Sequence, residues 1–207
     1  MLLSSKRIAE LLDDTTSDDP LVITPGPRTE DLRDKGAASI DLRLGSWFVK
    51  PRPRRLSTLD VQSDVGQPVS DYTQDSRITK TYFVPLGEYY VLHPRSFVLA
   101  STLEWIRLPS GIAGYVIGRS SWGRRGLVIA TATGVHPRFS GCLTLELTNL
   151  GEIPIQIRPG LRICQIFLHE VSTSSKRPEE SRFVGYRTPV LGRIEPDKTA
   201  RSLWTNP

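Results

Sequence analysis

The stretch from residue 136 to 149, HPRFSGCLTLELTN, decides the fold. From Cys142 it alternates without a break: Leu143, Leu145 and Leu147 point one way, and Cys142, Thr144, Glu146 and Thr148 the other. That is a strand with one face in a core. The same texture recurs on either side, in SIDLRLGSWFV, FVLAS, IAGYVIG, IPIQI and RICQIFL, each run bounded by Pro, Gly or Asp. Short apolar runs at this spacing predict a mainly β chain, a sandwich or a barrel. The first dozen or so residues differ: Ile8, Leu11 and Leu12 fall at helical spacing behind a serine that can cap. A second short helical turn is expected after Gly118. The polar segment from Leu56 to Thr81 reads as a long excursion between strands. From Ser172 the alternation is lost, which predicts a flexible tail whose most structured part is SRFVGYRTP (181–189). The expected organisation is one domain over 1–171 and a tail over 172–207.

Apolar residues make up 38% of the chain and charged residues 24%, so a folded, soluble protein is expected. No apolar run approaches the length of a membrane span. The N-terminal stretch has no long apolar region of the kind a signal peptide needs. Two cysteines, Cys142 and Cys164, cannot make a disulfide framework, so a reduced, cytoplasmic setting is the default. The three histidines are scattered and no CxxC or HxE pair occurs, which removes the usual zinc site built from Cys and His. The net charge of +5 comes from basic residues spread along the chain, with no basic helix to lay in a groove. It fits a small polyanion such as a triphosphate as well as it fits nucleic acid.

Glu146 is the one charged group on its strand, flanked on its own face by Thr144 and Thr148. An exposed strand glutamate is ordinary. The alternative is a carboxylate fixed on a rigid element inside a cleft, where partial desolvation suits a general base. The strand alone leaves both open. Ahead of it, GRSSWGRRGL places Arg119, Ser121, Ser120, Arg124 and Arg125 among Gly118, Gly123 and Gly126. Hydroxyls, guanidinium forks and turn amides in one small volume are what a phosphate chain requires. A plain polar loop is the competing reading. If one helical turn begins at Ser120, Ser120 and Arg124 share a face and Arg125 points elsewhere, merely solvated. No GxSxG elbow and no Asp–His pair supports a serine nucleophile.

Together the segments SIDLRLG (39–45), LHPRSFVLASTLEWIRLP (92–109), GRSSWGRRGL (118–127), HPRFSGCLTLELTNLGEIPIQIRPGLRICQIF (136–167) and, more loosely, SRFVGYR (181–187) resemble the deoxycytidine-triphosphate deaminase family, itself related to the trimeric dUTPases. They occur in family order and cover most of the chain. The glutamate after the FSG turn separates the deaminases from plain dUTPases, which generally carry an apolar residue there. The resemblance implies a distorted jelly-roll β-barrel and a homotrimer with sites at subunit interfaces. It also implies a C-terminal lid over bound nucleotide and Mg²⁺ carried with the triphosphate. No nucleic-acid or membrane partner is implied.

By the same resemblance Glu146 shuttles protons without a metal, while Ser120 and Arg124 sit beside the reacting water. Arg119 and Ser121 grip phosphate oxygens, and Gln165 matches a position that often does so. Ala132 and Thr133 lie nearest the cytosine edge, and Phe183 and Arg187 match lid positions. The turn departs from the family pattern IDPGFSG: it reads GVHPRFSG, with His136 where Asp is usual and Arg138 where Gly is usual. The missing Asp is expected to cost a step onward from dUTP to dUMP, and to open sugar recognition to change. Tyr186 stands where Gln is common. Trp47, Trp105 and Tyr115 are expected in the core or in trimer contacts, and Trp122 over the pocket or between subunits. A dUTPase-like pyrophosphatase and a catalytically silent nucleotide-binding trimer are the competing functions.

Overall fold

Alternating strands this short can bury their apolar rows only by curling around one core, and the chain does so. The computed structural model describes residues 1–34, 36–51, 79–131, 134–172 and 185–191. Eleven strands are described: β1 (Val22–Thr24), β2 (Ile40–Pro51), β3 (Thr79–Phe83), β4 (Tyr90–Leu92), β5 (Phe97–Arg107), β6 (Ile112–Gly118), β7 (Leu127–Ile129), β8 (Gly134–Val135), β9 (Ser140–Asn149), β10 (Ile155–Ile157) and β11 (Arg162–Glu170). Nine of them form one curled sheet, a half-barrel ordered β7-β9-β5-β2-β11-β6-β8, with β1 added on β5 and β3 on β2; β4 and β10 pair separately. The mainly β, jelly-roll expectation holds.

The alternation predicted for β9 is observed: Leu143, Leu145, Leu147 and Asn149 are buried, and the residues between them are half-buried. Helix α1 (Ser5–Asp13) starts where the sequence places it, with the Ser4 hydroxyl accepting from the Arg7 amide at 3.3 Å. Ile8 and Ala9 are fully buried, and Leu11 and Leu12 pack against the core edge. A short helix not anticipated from the sequence, α2 (Thr29–Asp34), buries Leu32. Its signal was Glu30 and Asp31 in the first turn, favourable against the helix dipole. The expected excursion 56–81 falls largely outside the described residues, but its last three residues, Thr79–Thr81, already belong to β3. In the tail, the order seen overlaps the stretch expected to be its most structured part. Residues 185–191 lie along the open edge of β9: Gly185 donates to the Ser140 carbonyl at 2.6 Å, and Cys142 donates to that of Tyr186 at 2.8 Å. Gly141, at φ 151°, allows this approach, since a Cβ there would sit 3.1 Å from the Tyr186 oxygen.

Curling needs breaks in the ladder. Pairing of β5 shifts register between Ser101 and Trp105. There the Thr102 hydroxyl bridges the gap, donating to the Glu104 carbonyl at 2.8 Å and accepting from the Leu143 amide at 2.9 Å. Glu104, 2% exposed, is fixed by the Arg43 amide at 2.8 Å and by Arg43 Nε at 2.6 Å. Burial also pushes the Cys164 thiol up to about 12. Asn149 closes the far end of β9. Its amide donates to the carbonyls of Leu92 and Ile153, at 3.0 and 2.9 Å, and its oxygen accepts from Gly151 at 2.9 Å. Asn149→Ala strands those buried groups and is expected to cost about 2–4 kcal/mol in a urea titration, with the midpoint shifted and the slope kept.

Candidate active site

The register of the central strands assembles the first group of side chains. On β11, Gln165 lies opposite Asp41 of β2 on one side and Ile117 of β6 on the other. Arg119 follows β6 directly, its amide reaching the Ile163 carbonyl at 3.3 Å. The Asp41 carboxylate therefore meets the Arg119 guanidinium, the Gln165 amide at 3.1 Å and the Arg162 guanidinium at 3.6 Å. Sequence reasoning placed Arg119 and Gln165 together but did not single out Asp41. The signal was its position in SIDLRLG, a lone acid amid apolar alternation.

Helix α3 (Ser120–Gly123) is the expected turn, closed by the Arg124 amide on the Ser120 carbonyl at 3.0 Å. The amides of Trp122, Gly123, Arg124 and Arg125 are all used within this turn, so its phosphate-binding capacity lies chiefly in side chains. Trp122 does not hang free: Nε1 donates to the Arg162 carbonyl at 2.8 Å, tying α3 to the start of β11. Arg125 corrects the sequence expectation. It is not merely solvated but folds back, Nη1 donating to the Ser121 carbonyl at 2.7 Å, and shares a hollow with Arg119, Ser121 and Arg162. Ser120 and Arg124 are exposed and do not line it.

Glu146 sits elsewhere on the sheet. It is half-buried in β9 with backbone contacts on both sides: its amide donates to Thr131 Oγ1 at 3.0 Å, and its carbonyl accepts from Ala130 at 2.9 Å. Strand β7 pairs with β9 from Leu127–Asn149 to Ile129–Leu147. Glu146 is thus three residues, about 10 Å of strand, from the end of β9 beside which α3 emerges. Among the described residues its carboxylate makes no ion pair and no hydrogen bond, unlike those of Asp41 and Glu104.

His136 is exposed at the end of β8, in a turn closed by the Phe139 amide on its carbonyl at 3.2 Å. Arg138 in that turn has φ 64°, the left-handed conformation a glycine adopts without strain. Arg187 does not join the phosphate-type group. It lines a separate hollow with Trp47, Phe83, Trp105 and Cys142. Of the aromatics expected in the core or in trimer contacts, none is in the buried core. Trp47 packs against Phe83 with tilted rings 4.9 Å apart, Tyr115 stacks with Phe167 and His169, and Trp105 faces the Arg187 hollow. Ala132, Thr133 and Phe183 lie outside the described residues. No helix among the described residues is long and apolar enough to cross a membrane.

A model of the family described as dCTP deaminase-like matches residues 2–171. This chain belongs to that family. It is 37% identical over 166 residues to a dCTP deaminase of Natronomonas pharaonis, covering 78% of this chain and 81% of that one. It is 31% identical over 202 residues to a dUMP-forming dCTP deaminase of Methanobrevibacter smithii, covering 95% and 96%. A crystal structure of 2'-deoxycytidine 5'-triphosphate deaminase from Agrobacterium tumefaciens shares the fold, with TM-score 0.58 and 21% identity over 82% of this chain; this chain spans 48% of that one.

Within this dCTP deaminase-like chain, the Asp41 carboxylate organises the guanidiniums that face the hollow. Asp41→Asn is expected to keep the fold but loosen Arg119 and Arg162, lowering nucleotide affinity on the order of tenfold, read by calorimetric titration. The left-handed residue gives an opposite expectation. Arg138→Gly relieves backbone strain and raises stability by about 0.5–1 kcal/mol, read from the thermal midpoint.

Proposed function

We propose that this chain hydrolyses dCTP to dUTP and ammonia, with Glu146 carrying the protons. The observation that supports it most directly is the unpaired carboxylate of half-buried Glu146, whose backbone on β9 is bonded by Thr131 and Ala130, in a chain of the dCTP deaminase-like family. The carboxylate takes a proton from water as the oxygen bonds to cytosine C4, and delivers that proton to N3. It then moves the new hydroxyl proton to the amino nitrogen. The C4–N bond breaks, ammonia leaves, and the carboxylate ends as it began. Such acid–base help contributes about 10²–10⁴-fold, and the remainder must come from positioning and a polarised pocket.

Ser120 and Arg124 are assigned to the reacting water and to holding Glu146 in register. The strand distance between them and Glu146 within one chain supports a homotrimer in which α3 of one copy faces β9 of another. The half-exposed aromatic rows, with Trp47 and Tyr115, supply apolar surface for such contacts. Arg119, Ser121 and Gln165 grip phosphate; Ala132, Thr133 and His136 meet base and sugar. Residues 172–207 act as the lid, with Arg187 as its basic contact. Mg²⁺ fits as a companion of the phosphates. No three His, Cys, Asp or Glu side chains converge among the described residues, and Asp41, the carboxylate beside the arginines, is held by them. Bound there, the ion supplies neutralisation of phosphate charge. The setting that fits such an enzyme is the cytoplasm.

A second reading carries dUTP on to dUMP and pyrophosphate. The match to a dUMP-forming relative over 95% of this chain favours it, and His136 in the place of the turn Asp opposes it. Purified protein with Mg²⁺ and dCTP is expected to release ammonia without pyrophosphate, and Glu146→Gln to lower that rate at least 100-fold (about 10²–10⁴-fold). Ammonia from CTP or dCMP instead would move the assignment to another cytosine nucleotide. Pyrophosphate in step with ammonia would establish the second reading, and no ammonia from any cytosine nucleotide would sink the first.

A further inference from the structure

We infer that Thr131 is a positioning residue for the deamination: its hydroxyl stands in for a backbone carbonyl opposite Glu146 and so sets where the proton-carrying carboxylate sits. The inference rests on the deaminase reading above and gives a part to a residue which that reading leaves without one.

Strand register shows the replacement. β7 pairs with β9 through Val128–Thr148 and Ile129–Leu147, so the next rung would be Ala130–Glu146. On alternate rungs of an antiparallel ladder the two residues exchange bonds, each amide donating to the other's carbonyl. Half of that exchange is present, the Ala130 amide donating to the Glu146 carbonyl at 2.9 Å. The return bond from the Glu146 amide goes to Thr131 Oγ1 at 3.0 Å. A side-chain oxygen thus takes the place of a strand carbonyl, a competition that threonine hydroxyls offer to sheet ladders. β7 ends one residue earlier, at Ile129.

The aim of the Glu146 carboxylate depends on this rung. Both polar backbone groups of Glu146 are spent on Ala130 and Thr131, and Leu99 of β5, opposite on the other side, takes neither. Among the described residues the carboxylate itself has no hydrogen bond and no ion pair, so its direction is set by the backbone alone. Thr131 also marks where the chain leaves β9. β7 and β8 are the two ends of the sheet order, and only residues 130–133 join them. A link that short, at roughly 3.3–3.6 Å per residue, has little slack, and the hydroxyl pins its start beside Glu146. A displacement of about 1 Å in a reacting group can cost on the order of 10²-fold in rate.

The test compares Thr131→Val and Thr131→Ser in the full-length protein, following ammonia release from dCTP with Mg²⁺ and checking folding by thermal midpoint. Valine keeps the shape and removes the acceptor; serine keeps the hydroxyl. Thr131→Val is expected to lower kcat by about 10- to 100-fold with KM changed less than about twofold, and Thr131→Ser to recover most of the rate. If the valine variant unfolds, Thr131→Ala removes the same acceptor and is read in the same way. In a Glu146→Gln background the valine change is expected to add no further loss of rate, because the residue it acts through is gone. Calorimetric dCTP affinity there should stay within about twofold. An unchanged kcat, a loss carried by KM, an equal loss with serine, or a further loss in the Glu146→Gln background each overturns the role of Thr131 while wild-type ammonia release upholds the deaminase reading. Absence of ammonia from the wild-type protein overturns that reading, and the role of Thr131 with it.

Discussion

The carboxylate of Asp41 is the contact on which the arrangement of the candidate site depends. It gathers side chains from three places: β2 itself, β11 through Gln165 and Arg162, and the turn after β6 through Arg119. Each partner is cationic or a donor, so the group stays together only while one acceptor sits among them. Without it, Arg119 and Arg162 would repel and swing outward, and the hollow beside α3 would lose its wall. The hub is possible because Asp41 and Gln165 are register partners in an antiparallel pair, which fixes their separation by backbone hydrogen bonds rather than by side-chain preference.

The opposite end of the sheet follows another logic. Glu146 occupies the outward row of β9, a strand bonded on both edges, and has no counter-charge among the described residues. Glu104, a few residues away across the sheet, is fully paired with Arg43 and is structural. Two carboxylates on neighbouring strands therefore play different parts, set by whether an arginine is within reach. A paired acid has its lone pairs committed, and an unpaired one in a half-buried position can accept and return a proton. The arginine group around Asp41 and the unpaired carboxylate of Glu146 lie at separate stations along the sheet.

The turn between β8 and β9 holds a non-glycine residue in the left-handed region. Arg138 adopts the left-handed backbone that a glycine takes freely, so the chain tolerates local strain in the turn that carries His136 and starts β9. The docked segment 185–191 adds a constraint at the same place. A side chain at Gly141 would crowd it, its Cβ falling 3.1 Å from the Tyr186 carbonyl oxygen.

Much of this was legible in the order of residues. The period-two rows in β9, β11 and β6, the capped amphipathic α1 and the one-turn α3 follow from local periodicity and turn chemistry, which act within a few residues and leave a readable pattern. So do Glu146 as the lone acid of its strand and the pairing of Arg119 with Ser121. What the sequence by itself could not determine is which distant groups meet. Asp41 and Arg162 lie more than a hundred positions apart, and only antiparallel register brings them together. Arg125 was assigned to solvent because helical spacing ignores a side chain folding back on its own turn. The stretch 181–189 stood out as the most structured part of the tail, but its docking on β9 was not legible, because backbone bonds carry no side-chain signature. Local pattern determined the strands and the chemistry each could offer; tertiary pairing decided which of those groups share a site, because hydrogen-bond register, unlike periodicity, is a relation between segments far apart in the chain.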